Sequence, residues 1–581
     1  MDTRESKCLL CSLGCDVAFR MKGSAVAGPE FIARGDAHSA RVCARGLYGT
    51  ELLTHHQRVA EPFVRRDGVL REASWQDAIG VAVAGLRGVI DTHGASSVAV
   101  VTDPTRSTAE IEAVGAFARA IGAGAVSCAL EPQDWPLTSG QPCAGVEAIV
   151  ESNCVVVIGD VFFSHAVVAR EIIDAKYTAR GNTLFVVDPR RSNTAWYAST
   201  HVQNRPGTEA LILAAALKSL KSSGKLAADS HPWLDSLDEK ALLAAAGVGR
   251  DVVARLAHAF ADAAKAAIVV APSARGVGDV ALVARLAALL AQSTGGQKGF
   301  VSLPSGGNVL GAQQVVAKGG WIPASQLVAE LAAGKYRALI NLGADLTASY
   351  PSAALSRALA ALDAVVSYSL FRGETERVSS VVLGAASWLE SDGSAVRFDG
   401  SVVEWKAVGA PSWGTRTLTD VLSPLEAALG SVPASKSAAP AGVPDVQDDA
   451  LAARVEAVRR AAAARASGEM SLVALPATGH MGAGAITRWM DWAREMFPAG
   501  FAEISQADAA AAGINEKDCI VLSSPFAQVE LSARLTDRLQ AGVVGVPAYD
   551  PAARSLFSWQ PGADGWFDTG PGGVRLSRKQ S

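Results

Sequence analysis

Four of the eight cysteines in this 581-residue chain fall within its first 43 residues, as Cys8-x2-Cys11-x3-Cys15 and, after 27 intervening residues, Cys43. Three thiols within eight residues converge only if the backbone wraps around one centre, and a fourth arriving from a distance completes a four-cysteine set. Residues 1–60 show little hydrophobic periodicity and read as a small module organised by a metal. Zinc sites usually pair two C-x2–4-C knuckles, whereas the second half here holds a single cysteine. The spacing therefore favours a [4Fe–4S] cluster over zinc, with Cys8, Cys11, Cys15 and Cys43 as ligands. Eight cysteines in a chain of this length are too few for a disulfide scaffold.

Length alone implies several domains. With 53 Lys and Arg against 57 Asp and Glu, the net charge is −4, which excludes nucleic-acid or anionic-lipid binding through bulk electrostatics. The longest unbroken apolar run, 210–217, is far short of the ~20 residues a membrane-spanning helix needs. The charged start, Met1 to Lys7, reads as neither a Sec signal nor a twin-Arg leader, so the expected location is cytoplasmic.

From residue 74 onward, helical stretches alternate with short apolar runs: helix over 75–92, strand over 98–102, helix over 108–121, strand over 154–159, helix over 165–177, strand over 183–188, helix over 208–220. A second round follows, with strands over 266–271, 337–343 and 364–369 and helices over 280–292 and 353–362. Such alternation predicts parallel sheets with helices on both faces, and ligands in these folds bind beyond the carboxyl ends of the strands. The fold expected is a multidomain α/β one: a cysteine module (1–60), a mixed α/β domain (61–140 with 385–430), a first doubly wound α/β half (141–265) and a second (266–384). An Ala-, Pro- and Ser-rich linker (431–470) leads to a β-rich C-terminal domain (471–581), with strands over 514–524, 528–535 and 542–547.

Lys7-Cys8-Leu9-Leu10-Cys11-Ser12-Leu13-Gly14-Cys15, with Val42-Cys43-Ala44-Arg45-Gly46, resembles the N-terminal [4Fe–4S] module of the molybdopterin oxidoreductase family. That family includes formate dehydrogenases, nitrate reductases, formylmethanofuran dehydrogenase and the large subunit of NADH–quinone oxidoreductase. The likeness continues through Arg58-Val59-Ala60-Glu61-Pro62, Val157-Ile158-Gly159-Asp160 with Ser164-His165, Asp188-Pro189-Arg190 with Thr194, and Arg205-Pro206-Gly207-Thr208-Glu209. Asn341-Leu342-Gly343-Ala344-Asp345 is similar to the equivalent loop of the second half, and residues 501–544 to the family's dinucleotide-binding β-barrel.

The resemblance implies that Arg45 occupies the electron-relay position between cluster and pterin. It also implies that Gly159, His165, Asp188, Arg190, Thr194, Arg205, Gly207, Glu209, Gly343 and Asp345 contact a molybdopterin guanine dinucleotide carrying molybdenum or tungsten. These residue types suit the task. A strand-end carboxylate such as Asp188 can hold a ribose hydroxyl pair, Arg190 or Arg205 can clamp pyrophosphate bidentately, and Gly207-Thr208 opens a helix toward an anion.

The family pattern breaks near the expected metal. Cys128 is the candidate molybdenum or tungsten ligand, with Ala129 where a proton-handling histidine would follow, and Ser305-Gly306 stand where formate dehydrogenases place a substrate arginine. Two readings follow. One is a formate-dehydrogenase-like or formylmethanofuran-dehydrogenase-like oxidoreductase subunit passing electrons through the cluster. The other is a non-catalytic, pterin-metal-free electron-transfer subunit resembling the large subunit of NADH–quinone oxidoreductase. With no G-x-G-x-x-G fingerprint in the sequence, both require an electron partner subunit carrying flavin or iron–sulfur centres.

Overall fold

The computed structural model describes residues 2–23, 25–30, 41–137, 142–271, 275–430, 446–464, 469–562 and 565–579. The chain opens with an antiparallel sheet, Asp2–Lys7, Asp16–Lys22 and Ala25–Glu30. Sequence periodicity misses these strands because they are short and the ladder shifts register between Arg20 and Met21. The first pairing ends at Lys7 and Asp16, and the Cys8 amide then donates to the Cys15 carbonyl at 2.9 Å. Cys8 and Cys15 thus face each other across a hairpin neck, and Cys11 sits in the loop between them.

Two sheets form the body, one all-parallel and one parallel except for an antiparallel edge hairpin. One is five-stranded, ordered Thr200–Val202, Thr183–Val187, Cys154–Gly159, Lys265–Ala271, Gln297–Ser302. Its central strands are buried along nearly their whole length, as near-continuous Val and Ile runs require when helices cover both faces. The other is seven-stranded, ordered Val69–Glu72, Phe63–Arg66, Val381–Gly384, Ala364–Ser369, Ala338–Leu342, Val98–Thr102, Ala125–Cys128. Helices begin where the sequence supplies caps. Ser74 accepts from the Asp77 amide ahead of Trp75–His93, and Ser107 with Glu110 forms a capping box ahead of Thr108–Ala120.

The sheets divide the chain differently from the expected domain limits. Lys265–Ala271 does not open a second half at 266 but pairs in parallel with Cys154–Gly159 in the first sheet. The second sheet instead recruits the 63–128 segment. Periodicity identifies strands and leaves their neighbours unspecified. Of the expected linker, 446–464 carries the helix Leu451–Ala463, whose Leu451 and Val455 pack into the core beneath the first sheet; residues 431–445 and 465–468 lie outside the described residues.

The C-terminal strands close into a barrel ordered Met470–Leu475, Val543–Pro547, Phe501–Ser505, Gln528–Thr536, Cys519–Ser523, Gly572–Arg578. The strand expected from 514 begins only at Cys519, because the helix Gln506–Ala512 ends on Gly513 and a turn follows.

Candidate functional site

The four N-terminal cysteines line one small cavity. Cys8, Cys11 and Cys15 come from the hairpin neck and its loop, and Cys43 caps the short helix Ala44–Leu47. Cys8 and Cys11 are buried, while Cys15 and Cys43 are half-buried. Burial, together with the mutual repulsion of neighbouring thiolates, pushes Cys8 and Cys15 well above the ordinary thiol range. At Cys43 burial acts in the same direction, but the Arg45 guanidinium and backbone N–H donors outweigh it and hold the thiol below its usual value. Among the described residues no three His, Cys, Asp or Glu side chains are disposed to hold a single metal ion. The thiols surround a space instead of meeting at a point, and four such thiols with one adjacent guanidinium suit a polynuclear anionic centre.

Arg45 is buried between this cavity and a groove beside it. Its guanidinium donates to the Ser164 carbonyl at 2.5 Å and the His480 carbonyl at 3.1 Å. Ser164 adjoins Phe163, which lines the groove, and the His480 ring stacks on Tyr549, another lining residue, at 4.0 Å. His165 is placed on the cysteine side. It lines the cavity, and its Nε2 lies 3.1 Å from the Pro304 carbonyl and 3.3 Å from Ser12 Oγ. Burial and the Arg45 charge lower its pKa to about 3, so the imidazole is neutral.

The first groove runs between the five-stranded sheet and the barrel and is open to solvent at its mouth. Gly159, Asp188, Arg190 and Glu209 line it from the sheet side, where the strands Cys154–Gly159 and Thr183–Val187 end; Glu503, Arg534 and Tyr549 face them from the barrel. Gly159 holds φ +98°, and Gly343, at the matching strand end of the other sheet, holds φ +108°. Both need the backbone freedom of glycine.

Asp188 is raised to about 7 and Glu209 to about 8, in each case chiefly by burial, with the nearby Asp160 and Asp188 charges adding to it. Glu209 accepts from Asn204 at 2.8 Å through Oε1, while its Oε2 is buried without a partner. The groove therefore carries a protonated carboxyl able to donate to a ligand.

This has a measurable consequence. The ordinary glutamate value is 4.5, so between that value and about 8 the folded protein retains a proton that the unfolded chain releases, and stability falls as pH rises through that window. Glu209→Gln is expected to flatten this slope and to gain on the wild type by more at about pH 8 than at about pH 5, on the order of a few kcal/mol. Parallel denaturation titrations check it; equal slopes in both proteins would show Glu209 ionised in the groove.

Three of the expected contact residues have partners within the chain. Arg190 is not an open clamp: its guanidinium is held bidentately by Glu503 at 2.8 and 2.9 Å, tying the strand-end loop to the barrel. Arg205 is exposed and turned away, donating to the Ala244 and Ala245 carbonyls at the end of the helix Glu239–Ala246, because its backbone is hydrogen-bonded to Ala246. Thr194 braces the loop from behind, donating to Asp160 at 2.7 Å and accepting from the Phe162 amide. Gly207 lies next to Pro571 and Gly278 and has no room for a side chain.

A second, smaller groove occupies the corresponding position on the seven-stranded sheet. Gly343 and Asp345 line it with Asp103, Arg106, Glu376 and Trp489. Asp345 pairs with Arg488 and accepts from the Ala348 amide and the Thr375 hydroxyl. Burial, with Asp345 close by, raises Glu376 to about 8. Arg106, which the sequence does not single out, lies over the Tyr368 ring at 4.8 Å and pairs with Asp103 at 3.7 Å through a buried Nε that makes no hydrogen bond. Its segment, Asp103-Pro104-Thr105-Arg106-Ser107, reads in sequence only as a turn and helix cap.

Cys128 joins neither groove nor the cysteine cavity. It closes the edge strand Ala125–Cys128, packs in the core of the second sheet and faces a separate apolar hollow with Leu130, Ile322 and Trp566. Burial, with Asp103 and Asp134 close by, pushes its thiol far up. That environment suits an inert thiol, not a metal ligand.

Residues 58–427 match the molybdopterin oxidoreductase family, and residues 471–563 match the molydopterin dinucleotide binding domain. The chain is similar to the NADPH-Fe(3+) oxidoreductase subunit alpha of Geobacter sulfurreducens, at 25% identity over 94% of this chain and 72% of that one. It is also similar to the F420-dependent formate dehydrogenase subunit alpha of Methanocaldococcus jannaschii, at 25% identity over 67% of this chain and 64% of that one. Among solved structures, acetylene hydratase from Pelobacter acetylenicus superposes with a TM-score of 0.79 at 14% identity, covering 99% of this chain and all of that one, which shows a common fold.

Proposed function

Because the chain belongs to the molybdopterin oxidoreductase family, we propose that it is an oxidoreductase subunit that holds a molybdopterin dinucleotide across its two grooves and passes electrons through a [4Fe–4S] cluster to a partner subunit. The observation that carries this reading is Arg45, a buried cation spanning from the four-thiol cavity to the wall of the first groove. Cys8, Cys11, Cys15 and Cys43 would hold the cluster. Gly159, Asp188 and Glu209 would hold one end of the bound group, and Gly343, Asp345 and Arg106 the other. The bound group would supply the two-electron chemistry at molybdenum or tungsten. The chain itself keeps the Cys43 thiol acidic through Arg45 and presents neutral carboxyls in both grooves as hydrogen-bond donors. Both named relatives are alpha subunits, which supports an exit of electrons to another subunit.

The burial of Cys128 away from both grooves favours a second reading, a subunit that conducts electrons without pterin-metal chemistry. Elemental analysis of the anaerobically purified complex, with oxidative release of the fluorescent pterin, separates them. Iron together with molybdenum or tungsten and pterin is expected; iron alone would favour the second reading, and zinc without iron would overturn both. Arg45→Met is expected to slow reduction of the cluster by the cofactor at least ~10-fold while leaving iron content unchanged. An unchanged rate would remove Arg45 from the electron path.

A further inference from the structure

Between residues 176 and 201 the exposed charges are all positive. Lys176, Arg180 and Arg191 reach solvent, Arg190 is paired with Glu503, and the single acid, Asp188, is buried. In a chain of net charge −4 this is a local excess. The same surface exposes three large rings: Trp196 at 66%, Tyr177 at 64% and Tyr197 at 37%. They are one patch. Lys176 donates to the Tyr197 carbonyl and lies over the Tyr177 ring, the Arg191 guanidinium lies 5.0 Å from the Trp196 centroid, and Tyr197 stacks on Phe162 at 5.2 Å. Among the described residues nothing buries Tyr177 and Trp196, which stand in water at an energetic cost.

We propose that this patch, formed by the carboxyl end of the helix Ala166–Thr178 and the short helix Asn193–Trp196, is the docking surface for an acidic redox partner subunit. Trp, Tyr and Arg are the residue types that concentrate binding energy in protein interfaces, and a rim of one sign selects a partner of the other. The cations sit against rings, not in the row a phosphate backbone requires, which favours a protein over a nucleic acid. A second copy docked through the same patch would set like charges face to face in a two-fold contact.

The placement also fits electron exit. The helix Ala166–Thr178 starts at the cysteine cavity, where Ala166 and Val167 line the wall, and Tyr177 follows about 17 Å along the axis. Arg41, two residues before Cys43, ties that side of the cavity to the helix through Glu171 at 2.5 Å and Asp174 at 2.7 Å. The inference deepens the proposed electron transfer, yet the contact surface stands independently of it.

The test uses the complex purified through a tag on this chain and the subunit released from it at high salt. Hydrogen exchange is expected to show protection over 170–180 and 191–197 in the complex that is lost on dissociation. The double variant Trp196→Ala with Arg191→Glu, at unchanged melting temperature, is expected to bind the released subunit about 30-fold more weakly, and Lys176→Glu to weaken it further and reduce its salt dependence. Protection confined to another face, wild-type affinity in the double variant, a chain that purifies alone or only with its own copies, or binding of RNA or anionic vesicles in place of the subunit would each overturn the proposal. A complex that lacks iron but loses affinity through these variants would refute the cluster and leave the docking surface in place.

Discussion

Cys11→Ala is expected to strip the purified protein of its iron and of the broad visible absorption of a cluster, whereas Cys128→Ala is expected to leave both at wild-type level. Cys11 sits at the tip of the hairpin loop, buried among the other three thiols and within reach of the Arg45 and Arg397 charges. None of the other four thiols lines the cavity: Cys519 is exposed on the barrel, Cys128 and Cys154 are buried at strands of the two sheets, and Cys143, which packs in the same apolar cluster as Cys11, is raised by burial and turned to the Ala144 and Ser302 carbonyls. A four-ligand centre that loses one protein ligand loses its anchor and opens to solvent. Iron per chain and the reduced-state EPR signal measure the outcome. Full iron content in Cys11→Ala would mean that the centre is held elsewhere; loss of iron in Cys128→Ala would return that thiol to the candidate ligands.

The largest stability change is expected at Arg58. Its guanidinium is buried, at 5% exposure, and so is its carboxylate partner Glu390, at 4%. Arg58 donates to both oxygens of Glu390, to the Leu53 carbonyl at 3.1 Å, the Ala385 carbonyl at 3.2 Å and Ser412 Oγ at 3.0 Å. One side chain therefore fastens the end of the cysteine module to the second sheet and to the 385–412 segment. Arg58→Met keeps much of the volume and leaves Glu390 charged and buried, which costs about 3–5 kcal/mol.

The pH dependence follows from Glu390. Burial works to raise its pKa, but the hydrogen bonds and charge of Arg58 outweigh it and hold the folded value below the ordinary 4.5. The pair's contribution is present above the unfolded value and is lost as pH falls through the depressed folded value. The gap between wild type and Arg58→Met should thus be widest near neutrality and close in acid, as Glu390 takes up a proton in both proteins. Denaturant unfolding across that range measures it. A loss below about 1 kcal/mol at neutral pH, the size of an exposed pair, would show that the bridge is solvated.

What sequence could tell depended on how local the information is. The cysteine set was legible because a rare residue type at short spacing leaves few geometries, and the hairpin that joins Cys8 to Cys15 brings three of the four thiols together within the first fifteen residues. The strand-end loops at Gly159, Asp188 and Gly343 were legible because apolar period and a following glycine or aspartate mark where a buried strand must stop. The barrel was legible in part for the same reason: the strands near 528–535 and 542–547 carry their own apolar signals, whereas the turn after Gly513 reads in sequence as strand.

The partners of charged side chains were decided only by the tertiary structure. Arg190 looked like an anion clamp until Glu503, 313 residues away, was brought against it. Arg205, two residues before a glycine that does sit at a close approach, went instead to a helix end supplied by residues 244–246. Arg58 and Glu390 meet across 332 residues, and Cys128 became a core thiol because the strand that carries it is covered by the second sheet's helices. A charge is satisfied by whichever opposite dipole the fold places within about 3 Å of it, and no local pattern encodes that choice; hydrophobic period and backbone freedom act within a few residues, so the sequence alone determined the elements and the cysteine module, while long-range packing determined which of its polar groups remain free to meet a ligand.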